Sequence, residues 1–236
     1  MTDLVLLLAS LMDKDGHISL PGFHDSVRQL TETEAQLYDA IVNKDIEEMG
    51  LTEDVELQRK KQRDILMSRW RLPSLSIHQV TSTGDSAGKS SVIPKAVKAD
   101  ISLRLVPDQN IDDVVKSLND YLSSEFSDLH SQNHFTCEIS HKADWWLGDP
   151  LNKGFQLLER AVKEEWDQSP LFIREGGSIP AVRRLEKLTG APAIHFPLGQ
   201  ASDQAHLINE RIRLVNLLKG RNVLKRLFKE LDALEK

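Results

Sequence analysis

The chain has 236 residues and a mass of 26.7 kDa, which is enough for one large domain or two modest ones. Hydrophobic residues make up 40% and charged residues 28%, so wholesale disorder and low-complexity classes are excluded. The net charge of −6 argues against a nucleic-acid or anionic-membrane surface, because binding to phosphates needs clustered positive charge. We expect a small molecule or another protein as the partner.

The number of cysteines and the residues at the N-terminus indicate the cellular compartment of the protein. Cys137 is the one cysteine, so it cannot close an intramolecular disulfide, and no Cys-x-x-Cys zinc spacing occurs. The apolar run Leu4–Ala9 is too short to cross a bilayer and follows Asp3 instead of the basic flank of a signal peptide. We predict a cytoplasmic protein without a membrane partner.

The first 142 residues carry helix and strand signals in an irregular order. A capping box at Thr31 and Glu34 indicates the start of one helix, and Asn110 can cap another that presents Leu118 and Leu122 on one face. Alternation of apolar residues indicates strands, and the two longest are expected to form an antiparallel hairpin. The predicted elements are helices at 2–12, 31–49 and from 110, a charged exposed stretch at 50–63, and strands at 17–20, 74–81, 91–106 and 135–139.

From Trp145 onward, helix and strand alternate regularly. Apolar residues at helical spacing predict a helix that begins at Asp149, a second that begins at Pro180, and a last one that ends near residue 234. Short strands are predicted at 171–173 and 193–196. This order is typical of one edge of a layered α/β sheet, so we place a boundary near residue 143.

The stretch Arg174–Pro180 suggests an anion site. A predicted strand ends there, two glycines allow close backbone approach, and Pro180 opens a helix whose free N–H groups point outward beside a guanidinium. This combination suits a carboxylate. An ordinary strand-to-helix turn with Ser178 as the N-cap explains the same residues, and the pattern leaves both interpretations open.

Two further residues have both a functional and a structural interpretation. Arg104 points opposite to its apolar neighbours on a predicted strand, where its guanidinium could hold a carboxylate or simply face solvent. His206 follows Asp203 and could ligate zinc or lie on the surface; zinc needs three or four ligands, and no spacing supplies the others. Ser91 opens the same strand as Arg104 and indicates nothing alone.

Seven ordered blocks of the sequence resemble the zinc-dependent dipeptidase and aminoacylase family of metallopeptidases. This family includes carnosine dipeptidase, the Cys-Gly dipeptidase of glutathione breakdown and the peptidase-like subunit of the fungal glutathione-degrading amidotransferase complex. The blocks are 2–4, 64–67, 69–76, 92–94, 104–107, 174–180 and 203–210.

The resemblance implies an α+β ferredoxin-like lid followed by the C-terminal portion of an α/β layered-sheet catalytic domain. The lid would occupy residues 1–142, with a helical insertion at about 21–70, and would form a homodimer contact. Residues 143–236 would be the C-terminal part of the catalytic domain.

The same resemblance implies a substrate site and a metal site. His206 matches a metal ligand of a site that holds two zinc ions, with manganese as an alternative. Arg104 and Ser178 match residues that hold the carboxylate end of the substrate, and Ser91 stands where the dipeptidases have a substrate-binding threonine. The substrate-binding residues implied in this way are Ser91, Arg104, Arg174, Gly176, Gly177, Ser178 and His206.

The chain departs from the family at the catalytic centre. A His-x-Asp metal pair, a bridging aspartate and a glutamate general base have no match here. We interpret the pairs Glu47-Glu48 and Glu164-Glu165 as solvated helix faces, and we assign no catalytic residue.

Two functions follow as hypotheses. The first is a zinc-dependent hydrolase of small peptides with a free carboxylate, in glutathione catabolism, that uses a metal-bound hydroxide. The second is a non-catalytic dimerisation or scaffold subunit of a peptidase complex, with an amidotransferase-type partner. Whether the chain is active alone stays open.

Overall fold

A computed structural model describes residues 1–50, 54–83, 93–175 and 179–234. Its elements are α1 (Thr2–Ser10), α2 (Glu32–Met49), α3 (Val55–Trp70), β1 (Ser74–Ser82), β2 (Val97–Arg104), α4 (Ile111–Asp128), α5 (Lys153–Trp166), α6 (Pro180–Thr189), a 3₁₀ turn (Ala201–Asp203) and α7 (Leu214–Leu234). No helix in the described ranges is long and apolar enough to cross a membrane.

Contacts divide the chain into two compact units. The first unit contains residues 1–31 and 64–145, and the second contains residues 32–63 and 146–236. Most of the helical insertion expected at about 21–70 therefore groups with the C-terminal residues. The division into domains 1–142 and 143–236 stays a prediction.

The core of the first unit lies between α1, α4 and the hairpin. Leu118 and Leu122 on α4 pack with Leu7, Leu11 and neighbouring apolar residues in one buried cluster. Asn110 caps α4 as predicted, since its side-chain oxygen accepts hydrogen bonds from the second and third backbone N–H groups of the helix at 2.9 and 3.2 Å. The apolar spacing of this helix thus placed its buried face correctly.

The predicted hairpin is present. Strands β1 and β2 pair antiparallel, from Ser74 opposite Arg104 to Ser82 opposite Val97, with an irregularity between Ile77 and Gln79. The second strand is shorter than the predicted 91–106. Residues 91 and 92 lie outside the described ranges, and the strand begins only after Pro94, which has no N–H to donate to a ladder.

Three short strands were predicted wrongly. Within the described residues, 135–139, 171–173 and 193–196 form no strand, and 17–20 contributes only an isolated bridge between Met12 and Ile18. Burial still alternates along 135–139, where Phe135 and Cys137 pack on the first cluster. Alternation predicts which side chains are buried; a strand also needs a neighbouring backbone, which this pattern does not specify.

Two helix boundaries also differ from expectation. The charged stretch 50–63, predicted as exposed, largely belongs to α3, which buries no residue. Its strong helix formers favour a helix although no apolar stripe marks one. Helix α5 begins at Lys153 rather than at Asp149, because Asn152 is the N-cap and accepts from the Phe155 N–H at 3.0 Å.

The core of the second unit joins α5 to α7. Leu157, Leu158 and Ala161 of α5 are buried against Val223 and Leu227 of α7. This apolar contact is the main packing between the two helices, and a polar cluster lies beside it.

Glu165 is the centre of that polar cluster. Its carboxylate accepts from Asn222 Nδ2 at 3.0 Å and from Arg226 at 2.5 Å, and its backbone carbonyl accepts from Lys219 Nζ at 3.1 Å. Lys219 also lies 4.3 Å from the ring centroid of Trp166. The side chain of Glu165 is 11% exposed, so the interpretation of Glu164-Glu165 as a solvated face is wrong at Glu165, although Glu164 is 61% exposed.

Glu165→Gln should reduce the acid sensitivity of the second unit. The hydrogen bond from Asn222, followed by the bond and charge of Arg226, lowers the pKa of Glu165. A depressed folded-state pKa contributes stability above the ordinary pKa of a glutamate, and that stability is lost as pH falls through the folded value. Urea unfolding between about pH 6 and about pH 3 should therefore show a smaller loss of unfolding free energy in the variant than in the wild type. Glu164→Gln is the matched control, and equal pH slopes for both variants would contradict the assignment.

Candidate functional site

The seven predicted substrate-binding residues divide into two groups. Ser91, Gly176, Gly177 and Ser178 lie outside the described residues. The structure places Arg104 in the first unit, and Arg174 and His206 in the second.

Arg104 holds the C-terminal end of a helix. Its guanidinium donates to the carbonyl oxygens of Ser68 at 3.3 Å, Arg69 at 2.5 Å and Leu72 at 2.8 Å. The carbonyls of Ser68 and Arg69 belong to the last turn of α3, where no N–H group of the same helix is available to donate to them. The side chain therefore does not point into solvent, contrary to one of the two interpretations.

The surroundings of Arg104 limit what else it can bind. Partial burial lowers the pKa of its guanidinium, which remains charged. Its Nε is buried and has no hydrogen-bond partner among the described residues. Three of the five N–H groups are used in this way, so Nε–H and one N–H of Nη1 are left over among the described contacts, and a role for Arg104 in substrate binding stays a prediction.

Arg174 forms a buried ion pair with Glu34. Its guanidinium lies 3.0 Å from Glu34 Oε1, and the two side chains are 18% and 10% exposed. Glu34 lies in the first turn of α2, where the helix dipole also favours a negative charge. In the sequence, Glu34 is recognisable only as part of a capping box, because the spacing signal marks the helix start but not the distant arginine.

The helix after Arg174 begins without a side-chain cap. Its N-cap is Ile179, which makes no capping hydrogen bond, and Pro180 occupies the first turn. The alternative in which Ser178 is the N-cap falls on a residue outside the described ranges, and the N-cap that the structure describes is Ile179. An N-terminus without a polar cap leaves backbone N–H groups for another acceptor.

His206 is exposed on a loop with unusual backbone angles. Gln204, His206 and Asn209 have φ values of 56°, 64° and 65°, in the left-handed region that residues other than glycine rarely adopt. Each such residue costs on the order of 1–2 kcal/mol. The loop must therefore be held by contacts on either side of it.

Asp203 supplies the main restraint on that loop. Its carboxylate accepts from the Gln200 N–H at 2.9 Å, and its backbone carbonyl accepts from the Arg211 N–H at 2.9 Å. Arg211 also donates to the Ser202 carbonyl at 2.9 Å. Asp203 is 4% exposed and its Oδ1 has no hydrogen-bond partner in the described part of the chain. In the sequence, Asp203 is recognisable as a neighbour of His206 but not as the residue that closes the loop.

The described residues do not form a metal site. No group of three or more His, Cys, Asp and Glu side chains able to hold a metal ion exists among them. A zinc site takes at least three protein ligands, and His206 alone does not supply them. In the first unit, burial raises the pKa of the Cys137 thiol, which disfavours a thiolate at this residue.

Comparison with known proteins gives consistent matches over nearly the whole chain, although no family model matches it. A Cys-Gly metallodipeptidase of Candida albicans is 38% identical over 93% of this chain, which covers 45% of that protein. A probable di- and tripeptidase of Saccharomyces cerevisiae is 37% identical over 98% of this chain and 25% of its own length. The human Beta-Ala-His dipeptidase is 34% identical over 99% of this chain and 46% of its own length.

Solved structures agree with these matches. A dipeptidase from Saccharomyces cerevisiae superposes with a TM-score of 0.82 and 33% identity over 96% of this chain and 47% of that one. Human carnosine dipeptidase 1 superposes with a TM-score of 0.78 and 32% identity over 97% of this chain and 49% of that one. This chain spans about half the length of these proteins, and a quarter of the di- and tripeptidase.

Removing the carboxylate charge that faces Arg174 should destabilise the second unit strongly. Breaking a buried ion pair by changing one partner costs about 3–5 kcal/mol, whereas an exposed pair contributes about 0–1 kcal/mol. We expect Glu34→Gln to lower the free energy of unfolding by about 3 kcal/mol in urea titrations.

The control is Asp120→Asn, which removes the partner of Lys116 in a pair whose side chains are 65% and 79% exposed. Its unfolding free energy should stay within about 0.5 kcal/mol of the wild type. Similar losses for Glu34→Gln and Asp120→Asn would show that the Arg174 pair does not hold the unit together.

Proposed function

We propose, on the premise that this chain belongs to the dipeptidase and aminoacylase family of metallopeptidases, that it takes part in hydrolysing small peptides. The membership agrees with the resemblance found in the seven sequence blocks. The observation that carries the proposal is 33–38% identity to named dipeptidases over at least 93% of the chain.

The proposed substrate is a small peptide with a free carboxylate. The uncapped N-terminus of α6, which follows Gly176, Gly177 and Ser178 in the sequence, supports a carboxylate site at the start of this helix. Arg174, which pairs with Glu34, precedes these residues in the chain, and the role proposed for Arg104 rests on sequence resemblance alone. The role proposed for Ser91 rests on sequence resemblance alone.

A metal cofactor is expected because the relatives are named metallodipeptidases. We propose zinc, with manganese as the alternative, and His206 as one ligand. A bound metal would supply an activated water. Since the described residues do not complete such a site, we assign no catalytic step to it, and the other ligands must come from outside these residues.

The setting is proposed to be glutathione catabolism in the cytoplasm, following the Cys-Gly name of several relatives. A homodimer through residues 1–142 is part of the proposal, as is an amidotransferase-type partner. Strand β1 supports the dimer, because Ile77 and Val80 on this strand are 46% and 43% exposed.

A second candidate is a non-catalytic dimerisation or scaffold subunit. This candidate is supported because the described part of the chain contains no group of three or more side chains able to hold a metal ion. The two candidates predict different outcomes for turnover, because a scaffold binds without cleaving.

Hydrolysis of Cys-Gly and β-Ala-His should be measured with zinc or manganese present. The chain should be tested alone and mixed with the part of the Candida albicans metallodipeptidase that it does not match. We expect turnover in the mixture. His206→Asn should reduce this turnover by more than the roughly 10–100-fold that loss of an outer-shell partner costs, because asparagine tolerates the left-handed backbone but alters the ligand.

His130→Asn is the matched control, since His130 is also exposed and has a φ of 49°. Its turnover should equal that of the wild type. A mixture that forms a complex but cleaves neither peptide would favour the scaffold candidate, and equal activity of the two histidine variants would remove His206 from the metal site.

A further inference from the structure

The hairpin of β1 and β2 has a packed inner face and an exposed outer face. Leu75 and Leu103, which lie opposite each other, pack on the first buried cluster, as does Ile101. Successive side chains of a strand point to opposite faces, so the opposed pair Ser76 and Ser102 lies on the outer face. Both serines are exposed. Groups on this face are therefore open to molecules in solution.

The irregularity in β1 brings His78 to the same outer face. The residues on either side of His78 are paired with two consecutive residues of β2, Ile101 and Asp100, so His78 is the extra residue of a bulge. The extra residue shifts the alternation by one position. As a result, His78 contacts Ser102 and the next residue, Gln79, contacts Asp100. Bulges of this kind are common beside active sites, where they redirect a side chain.

His78 and Ser102 form a hydrogen-bonded pair across the two strands. His78 Nε2 lies 2.8 Å from Ser102 Oγ, which is the separation expected between a nucleophile and its general base. With the ring proton on Nδ1, Nε2 accepts the O–H of Ser102. Both residues are exposed, so a reagent can reach the serine oxygen from solvent.

Asp100 places a negative charge near this pair. It precedes Ser102 by two residues on the same strand, a spacing of about 7 Å on one face. Its carboxylate accepts from Gln79 Nε2 at 2.6 Å and lies 2.8 Å from Lys98 Nζ. The hydrogen bond from Gln79, followed by the bond and charge of Lys98 and the charge of His78, lowers the pKa of Asp100. A carboxylate near an imidazole stabilises the imidazolium that forms when the ring takes up a proton.

We propose that Ser102 is a nucleophile, activated by His78, that accepts acyl groups from small uncharged esters. Its Oγ attacks the acyl carbon while its proton passes to His78 Nε2. The bond from the acyl carbon to the leaving oxygen breaks, and that oxygen takes the proton from the imidazolium. Water then attacks the acyl-serine and gives a proton to His78, and Ser102 recovers that proton as the carboxylic acid departs.

The charges on the outer face suit an uncharged acyl group. Lys98 is paired with Asp100, and Arg104 donates to carbonyl oxygens at the end of α3. Neither cation is thus needed for the reaction at Ser102. The inference goes beyond the proposed function, because this acyl transfer uses neither a metal nor a second polypeptide.

Site-resolved labelling of the full chain tests the inference. Phenylmethylsulfonyl fluoride loses fluoride to a serine oxygen and leaves a stable sulfonyl ester, which peptide mass spectrometry locates. Ser76 is the matched comparison, since it lies opposite Ser102 on the same face. Ser102 should be labelled at least about tenfold faster than Ser76. This is less than the roughly 100–10,000-fold effect of general bases in enzymes, because the pair is solvated. EDTA is present throughout to exclude metal-dependent reactions.

Variants separate activation by the imidazole from simple exposure of the serine. His78→Asn should reduce the labelling rate of Ser102 to that of Ser76, because an asparagine amide does not take up the proton. His134→Asn is the control, since His134 is also exposed and lies in the first unit. With p-nitrophenyl acetate, Ser102→Ala and His78→Asn should slow p-nitrophenolate release by the same amount, because each removes the same step. Ser76→Ala should match the wild type.

Two results would overturn the proposal. One is equal labelling of Ser102 and Ser76 in the wild type, and the other is labelling of Ser102 that His78→Asn leaves unchanged. Either result would mean that the pair only joins the two strands. Amide exchange of β1 and β2 in each variant verifies that the hairpin is folded.

Discussion

The second unit depends on a buried ion pair between residues that are far apart in the chain. Glu34 lies near the beginning of α2, and Arg174 precedes α6 in the chain. Burying either charge alone costs free energy, so each side chain stabilises the folded unit only while its partner is present. This pair attaches a helix that precedes the hairpin in sequence to the residues that follow it. The contact joins the first turn of α2 to a residue that precedes α6 in the chain.

Local signals in the sequence specified local structure well. The Asn110 cap, the buried face of α4 and the hairpin all follow from interactions between residues close in the chain or from simple alternation. The predicted strands at 171–173 and 193–196 failed for a different reason. Their apolar side chains are in fact partly packed, but whether a backbone enters a ladder depends on a neighbour that no short pattern can name.

The candidate site shows the same division. Its residues were found from the order of sequence blocks, and the resemblance agrees with the similarity to known dipeptidases. What each side chain touches could not be predicted. Arg104 donates to two carbonyl oxygens of α3 and to that of Leu72, and Arg174 contacts a carboxylate of its own chain. A guanidinium has five donors in a fixed plane, so one arginine can support a helix end and still have a donor directed elsewhere. The sequence shows where an arginine stands, but packing determines which acceptors its N–H donors contact.

The left-handed residues at 204, 206 and 209 have a consequence for how the loop responds to a ligand. Asp203 and Arg211 hold this backbone in place within the folded chain. The entropy cost of ordering the segment that carries His206 thus arises during folding, so binding of a ligand does not incur it again. Because Asp203 and Arg211 lie on either side of residues 204–209, a substitution at one of them bears on the whole segment and not on one residue of it.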